Sequence, residues 1–348
     1  MQYISTAEVS NKWGVSERRV VKLCSERRIA GAQFVGNTWL IPSITPRPSD
    51  ARIKTGKYIR TNRPIERKLN DLINNIFEAD CLLKMREIPT SSIDMILCDL
   101  PYGMTQNGWD SYISLPQLWN EYTRIIKPKG VIALTAAGLF TAQLILSNTN
   151  MYKYKWVWEK SKPTNFLNAK KQPLRKHEDV CVFYKAQPTY NPQMTQGEAY
   201  NKGIRKDQLS GSYGDFKPVH VKSNGDRYPT DIIYCKTAES EGEVVHPTQK
   251  PVSLGRYLIR TYTNPGDIVL DNTCGSGSFL VAALLENRNF IGIEKNENTT
   301  LFKKENIDYI EVCKRRLQEA WCVLDKGVHK GFIKSLLLEQ FEEGIYAN

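Results

Sequence analysis

The chain is poor in the residues that build metal centres and disulfide frameworks. Among 348 residues there are only four histidines, and the eight cysteines (24, 81, 98, 181, 235, 274, 313 and 322) form no Cys-x-x-Cys pair. This argues against a zinc cluster or a secreted disulfide scaffold, so no metal site is expected and reduced thiols in a cytoplasmic protein are. No apolar run approaches the roughly 18 residues of a membrane span. The opening residues, MQYISTAEVSNKWG, lack the basic start and apolar stretch of a signal peptide, and no membrane association is expected. No internal repeat or low-complexity tract is present. Hydrophobic content of 41% and aromatic content of 10% are ordinary for a folded chain, which argues against wholesale disorder.

Acidic residues are scarce at the amino-terminal end. The net charge is +11, and residues 1–67 hold thirteen Lys/Arg against five Asp/Glu, an excess of +8. Such a block suits a polyanion, nucleic acid first. Within it, residues 1–45 read as a small module. Ser5 with Glu8 three residues on is a capping box, and the helix it opens should stop near Gly14. Ser16 opens a second helix, ERRVVKLCSERR, with Val20, Val21, Leu23 and Cys24 inward and Arg18, Arg19, Lys22, Arg27 and Arg28 outward. AQFVGNTWLIP then reads as a hairpin turning at Gly36-Asn37. This pattern resembles the winged helix-turn-helix of the excisionase and MerR families. The resemblance implies a second helix in the major groove, with Arg18, Arg19 and Lys22 on DNA. Residues 46–66 lack periodicity and read as a basic linker.

From residue 67 strand and helix patterns alternate, so an α/β fold with a mostly parallel sheet is expected. Strands are predicted at 93–98, 131–135, 155–159, 180–185, 267–271 and 289–293, and helices at 115–126, 251–263, 278–287 and 307–323. Between about 187 and 245 the pattern breaks into a polar, Gly/Pro/Asn-rich stretch, the kind of long loop that is often functional.

Two places put acids at the ends of apolar strands. In GDIVLDNTCGSGSFLVAALLENRNFIGIEKN, residues 266–296, a strand ending in Asp271 runs through a glycine turn into a helix and a second strand. Gly275 and Gly277 allow close backbone approach to a ligand, and the helix start offers free N–H groups. Glu294 follows Asp271 by 23 residues, the offset at which an acid accepts hydrogen bonds from ribose hydroxyls. The turn is not Gly-x-Gly-x-x-Gly and no Gly-Lys-Ser/Thr is present. Asp271 would repel a pyrophosphate but suits a cationic amine, so an adenosyl amino acid such as S-adenosylmethionine fits. The second place is MILCDLPYGMTQNGWD, residues 95–110, where a buried strand ends in Asp99 and is followed by Leu100, a stiff Pro101 and Tyr102.

DLPYG resembles the Asp-Pro-Pro-Tyr motif of the DNA amino-methyltransferases. DNTCGSGS resembles their Phe-x-Gly-x-Gly cofactor loop, and HPTQKP, residues 246–251, the segment before that loop. The order of these motifs is that of the β class, whose members methylate adenine N6 or cytosine N4, and the resemblance spans about residues 75–323. Leu100 replaces the first Pro, and Thr273 stands where Phe is usual. The resemblance implies a Rossmann-like S-adenosylmethionine-dependent methyltransferase sheet with permuted motif order. Its cofactor would be held by Asp80, His246, Lys250, Asp271, Thr273, Gly275, Gly277 and Glu294, with Asp80 on the adenine and Lys250 near the carboxylate.

Double-stranded DNA is the implied substrate. Its target base would be flipped out, stacked on Tyr102, and aligned by the Asp99 carboxylate and the carbonyl of Leu100, with Pro101 fixing the turn. Lys170, Lys171, Arg175 and Lys176 would belong to the DNA cleft, and residues 187–245 to target recognition. Asp rather than Ser at position 99 favours adenine N6 over cytosine N4. A catalytically inactive DNA-binding regulator is a further alternative. A cognate restriction endonuclease and a homodimer are possible partners by the same resemblance. Residues 325–348 read as a short amphipathic helix without nameable chemistry.

Overall fold

The computed structural model describes residues 3–48, 67–102, 113–204, 219–246, 248–296 and 307–326. Most of the linker, residues 103–112 after Tyr102, part of the recognition stretch and residues 327–348 lie outside them. The chain forms two units, residues 1–63 and 64–348.

In the first unit, β1 (Tyr3–Ser5) leads into α1 (Thr6–Trp13) and α2 (Glu17–Ser25), followed by β2 (Gln33–Val35) and β3 (Thr38–Pro42). The Ser5/Glu8 capping box forms on both sides, and Gly14 ends α1 in the left-handed conformation that glycine adopts without strain. Ser16 occupies the N-cap of α2 but makes no side-chain capping bond. The Thr6 hydroxyl instead reaches the Glu17 carboxylate at 2.6 Å. The strands order β1-β3-β2, and Val9, Val20, Leu23, Cys24, Ile29 and Ile41 form the core. Two expectations are corrected. The helix stops at Ser25 rather than Arg28, and Val21 is exposed because the turn that buries Val20 and Cys24 points it away. Arg18 and Lys22 are exposed, Arg19 half-buried.

The second unit is built on an eight-stranded sheet. In chain order its elements are β4 (Asn75–Glu78), α3 (Cys81–Lys84), β5 (Ile93–Cys98), α4 (Leu115–Ile125), β6 (Ile126–Ala136), α5 (Leu139–Ser147), β7 (Tyr152–Thr164) and β8 (Arg175–Phe183). After the short strands β9 (Thr195–Gln196), β10 (Tyr200–Ile204), β11 (His220–Ser223) and β12 (Asp226–Arg227) come β13 (Ile232–Cys235), α6 (Val252–Tyr262), β14 (Ile268–Asp271), α7 (Ser278–Leu285), β15 (Asn289–Glu294) and α8 (Tyr309–Lys326). The sheet order is β13-β7-β8-β6-β5-β14-β15-β4. Only β8 runs antiparallel, to both β6 and β7.

Alternate residues of β5 explain why helices cover both faces. Met95 and Leu97 pack with Leu258 and Phe279 of α6 and α7, while Ile96 and Cys98 pack with Leu118, Tyr122 and Phe140 of α4 and α5. The stretch 187–245 is not wholly irregular. It contains two small hairpin ladders and β13, whose parallel pairing with β7 extends the main sheet. Among the described residues no helix is long and apolar enough to cross a membrane.

Candidate functional site

Strand topology decides where a site can form. From β5 the chain continues to β6 on one side; from β14 it continues to β15 on the other. The gap between β5 and β14 is therefore a topological switch point, where a crevice opens at the carboxyl ends of parallel strands. Asp99 follows β5 and Asp271 ends β14, so both acids stand at this crevice. Asp80, Asp99, Lys250, Asp271, Gly275 and Glu294 all line one cavity of about 730 Å³. That is within the usual size of a small-molecule site.

At one end Asp99 is fully engaged. One carboxylate oxygen accepts from the Tyr102 hydroxyl at 2.8 Å and from Thr135 at the end of β6; the other accepts from the Lys250 ammonium at 2.8 Å. Lys250 also lies 3.4 Å from Glu178, whose other oxygen takes a bond from Lys160 at 3.2 Å. Burial alone would discharge Lys250, but Asp99 and Glu178 outweigh it and hold its ammonium above the ordinary lysine range. Burial, then Asp99 and Glu178, push the Tyr102 phenol far above its usual value, so it stays a neutral donor. Its ring stacks on Phe140 at 4.8 Å. Because β8 runs antiparallel, its start places Glu178 at the same sheet edge as the ends of β6 and β7.

The other end is charged differently. Asp271 is 2% exposed, and burial raises its carboxyl well above the usual range. It accepts from the Thr273 N–H at 3.2 Å, and the Cys98 thiol also opposes the rise. Glu294 is raised by burial as well, although it accepts from the Gly275 N–H at 2.7 Å. The turn between them is held open by Gly277 (φ 77°), where a β-carbon would collide with the Cys313 sulfur. Arg316 fastens it from behind, donating to the Ser276 carbonyl at 2.6 Å. His246 packs on Tyr309, and burial pushes its imidazole down to about 4, so the ring is neutral. The Thr273 hydroxyl donates to the Asp99 carbonyl at 3.1 Å, tying the two ends together. Phenylalanine at position 273 could not make that bond.

Two sequence-predicted residues on the cavity lining also make contacts within the chain that the sequence did not suggest. Asp80 caps α3, accepting from Leu82 and Leu83 N–H groups at 2.9 and 3.2 Å, with the cavity beside it. Lys250 contacts Asp99 and Glu178 at the opposite end from Asp271. Lys170, Lys171, Arg175 and Lys176 sit together in and beside the exposed β7–β8 connection, outside the cavity lining; Lys176 pairs with Glu159 at 2.7 Å. Thr135, Glu178, Tyr122 and Asn272 were not singled out by sequence. Tyr122 donates to the Asn272 carbonyl oxygen at 2.5 Å, while the buried Asn272 amide nitrogen has no hydrogen-bond partner and stands at the cavity. The His177-Glu178 pair before a strand was the available signal for Glu178.

Fold and site together define an α/β protein with one small-molecule-sized cavity, carrying carboxylates at both ends, at its switch point. The sequence profile of the DNA methylase family matches residues 93–304, and the chain belongs to that family. The chain is 27% identical over 291 residues to the Type II methyltransferase M.HinfI of Haemophilus influenzae, covering 73% of this chain and 71% of that protein. It is 26% identical over 278 residues to the Type II methyltransferase M2.MboI of Moraxella bovis, covering 72% and 89%. Among solved structures it is similar to the M1.HpyAVI–SAM complex, at 23% identity and a TM-score of 0.46, over 70% of this chain and 99% of that one.

Proposed function

We propose that this chain methylates the exocyclic N6 amino group of adenine in double-stranded DNA, using S-adenosylmethionine. The observation that carries this reading is the pairing, in one cavity, of an engaged carboxylate at Asp99 with buried, charge-poor carboxylates at Asp271 and Glu294. A cationic amino acid headgroup suits Asp271, whose buried carboxyl has no cation beside it among the described residues, and ribose hydroxyls suit Glu294. The orphaned Asn272 amide is a further donor for the same ligand. When bound, S-adenosylmethionine supplies a methyl group on a sulfonium, open to attack by an amine lone pair.

The chain's own part is alignment. Adenine's amino lone pair is conjugated with its ring and a poor nucleophile. With one N–H donated to Asp99 and the other to the carbonyl of Leu100, the nitrogen can pyramidalise and free that pair. Asp99 stabilises the positive charge that develops on nitrogen, and the surplus proton leaves late, to water. Lys250 holds Asp99 in place through their 2.8 Å ion pair. The base must leave the stack to reach this depth, at a cost of a few kcal/mol. Asp at position 99 favours adenine over cytosine.

The first unit is read as a DNA-binding module that lays α2 in the major groove, with the β2–β3 hairpin as its wing. Incubation of the protein with methyl-labelled S-adenosylmethionine and unmethylated DNA, followed by digestion to nucleosides, tests the whole reading. N6-methyladenine is expected. N4-methylcytosine would overturn the choice of base, and absence of label from varied DNA would overturn the enzyme itself.

A further inference from the structure

The β7–β8 connection presents two adjacent apolar side chains where a surface loop would ordinarily present none. Phe166 is 74% exposed and Leu167 85%, and nothing in the mechanism above uses either. Hydrogen bonds fix the backbone turn that carries them. Asn165 is left-handed (φ 72°), the Asn168 N–H bonds the Asn165 carbonyl at 3.1 Å, and the Asn168 amide donates to the Asn165 side chain at 2.8 Å. Lys171 and Gln172 N–H groups then close on the Asn168 carbonyl at 2.8 and 3.0 Å. A knuckle locked this way gives up little conformational freedom when it inserts.

Its position and surroundings name the partner. Lys160 and Thr164, on the same strand and just before the knuckle, line the cavity that holds Asp99. Exposed Lys170, Lys171 and Arg175 follow it. These two side chains, even with the exposed Leu174 of the same connection, are far too small for a stable protein interface, which needs on the order of 1,000 Å². They match the scale of one base step, and the flanking cations match phosphates on either side.

We propose that Phe166 and Leu167 form a wedge that enters the duplex at the step vacated by the flipped base, closing the gap and slowing the base's return. The inference rests on reading the chain as a DNA methyltransferase. It assigns the wedge to apolar contact with bases and the nearby lysines to phosphates.

The test uses the full chain and the site found by labelling mixed-sequence DNA. Affinity is measured for a matched duplex and for one with an abasic position opposite the target, where unpairing costs little. Phe166→Ala with Leu167→Ala should weaken binding to the matched duplex about tenfold to a hundredfold, the scale of one base–aromatic stack. On the abasic duplex the same variant should bind within about threefold of wild type. Lys170→Ala with Lys171→Ala should weaken both duplexes alike and lower the salt slope. An equal loss on both DNAs for the apolar variant, or no loss on either, would overturn the wedge while wild-type methyl transfer still stood. Failure of the wild type to label any DNA would overturn the enzymatic reading and the wedge with it.

Discussion

The two ends of the cavity handle negative charge in opposite ways. Around Asp99 a lysine, a phenol and a threonine hydroxyl satisfy both carboxylate oxygens before any ligand arrives. Around Asp271 stand only neutral donors among the described residues, the Thr273 N–H and the Cys98 thiol, and burial drives the group toward its protonated form. In the proposed reaction the end that already carries its counter-charge orients a neutral amine, and the end without one is completed by a cation. On that reading the difference divides the labour of a two-substrate reaction between two loops, joined by the bond from Thr273 to the Asp99 carbonyl and by the contacts of the Cys98 thiol with Asn272.

The largest effect should come from emptying the first end. Asp99→Ala should lower methyl transfer by about a thousandfold in single-turnover assays, since the Leu100 carbonyl alone can take only one of the amine's two hydrogens. Lys250→Met should follow, with a loss of about a hundredfold. With the cation gone, Asp99 and Glu178 would be left without their shared partner, and the loss should appear in the single-turnover rate with S-adenosylmethionine affinity little changed.

At the second end the expected sign is reversed. A buried carboxyl with a raised folded pKa contributes stability that is full below its unfolded value of about 4 and is lost as pH rises through the folded value. Asp271→Asn should therefore make the free protein more stable near pH 8, by about 1 kcal/mol or more in thermal melts. It should also flatten the fall of stability with rising pH.

The smallest effect concerns His246. Its imidazole is pushed by burial from 6.5 down to about 4, so its contribution is present above 6.5 and lost as pH falls toward 4. His246→Gln should spare the protein a few degrees of acid-side loss in Tm across that window. An unchanged acid limb would mean the ring is solvated.

Much of this was legible from local pattern. The run from Ile93 to Cys98 is apolar enough to be a two-sided buried strand, and it forms with the predicted bounds. Asp271, Gly277 and Glu294 follow from one strand–turn–helix–strand unit. What escaped is non-local or short. β13 has four residues, and only its pairing with the distant β7 makes it part of the sheet. In α5, Leu139–Ser147, apolar residues fall on every side, so no helical period stands out. The partnership of Lys250 with Asp99 spans 151 positions, and Glu178 joins them only because β8 runs against its neighbours. Spacing in sequence carries none of that.

Calorimetric titration of S-adenosylmethionine into two variants probes the division most directly. Asp99→Ala should bind it within about twofold of wild type, while Asp271→Asn should bind at least about tenfold more weakly, the scale of one charge-assisted hydrogen bond. Equal weakening in both variants, or the greater loss in Asp99→Ala, would contradict the assignment of the two ends.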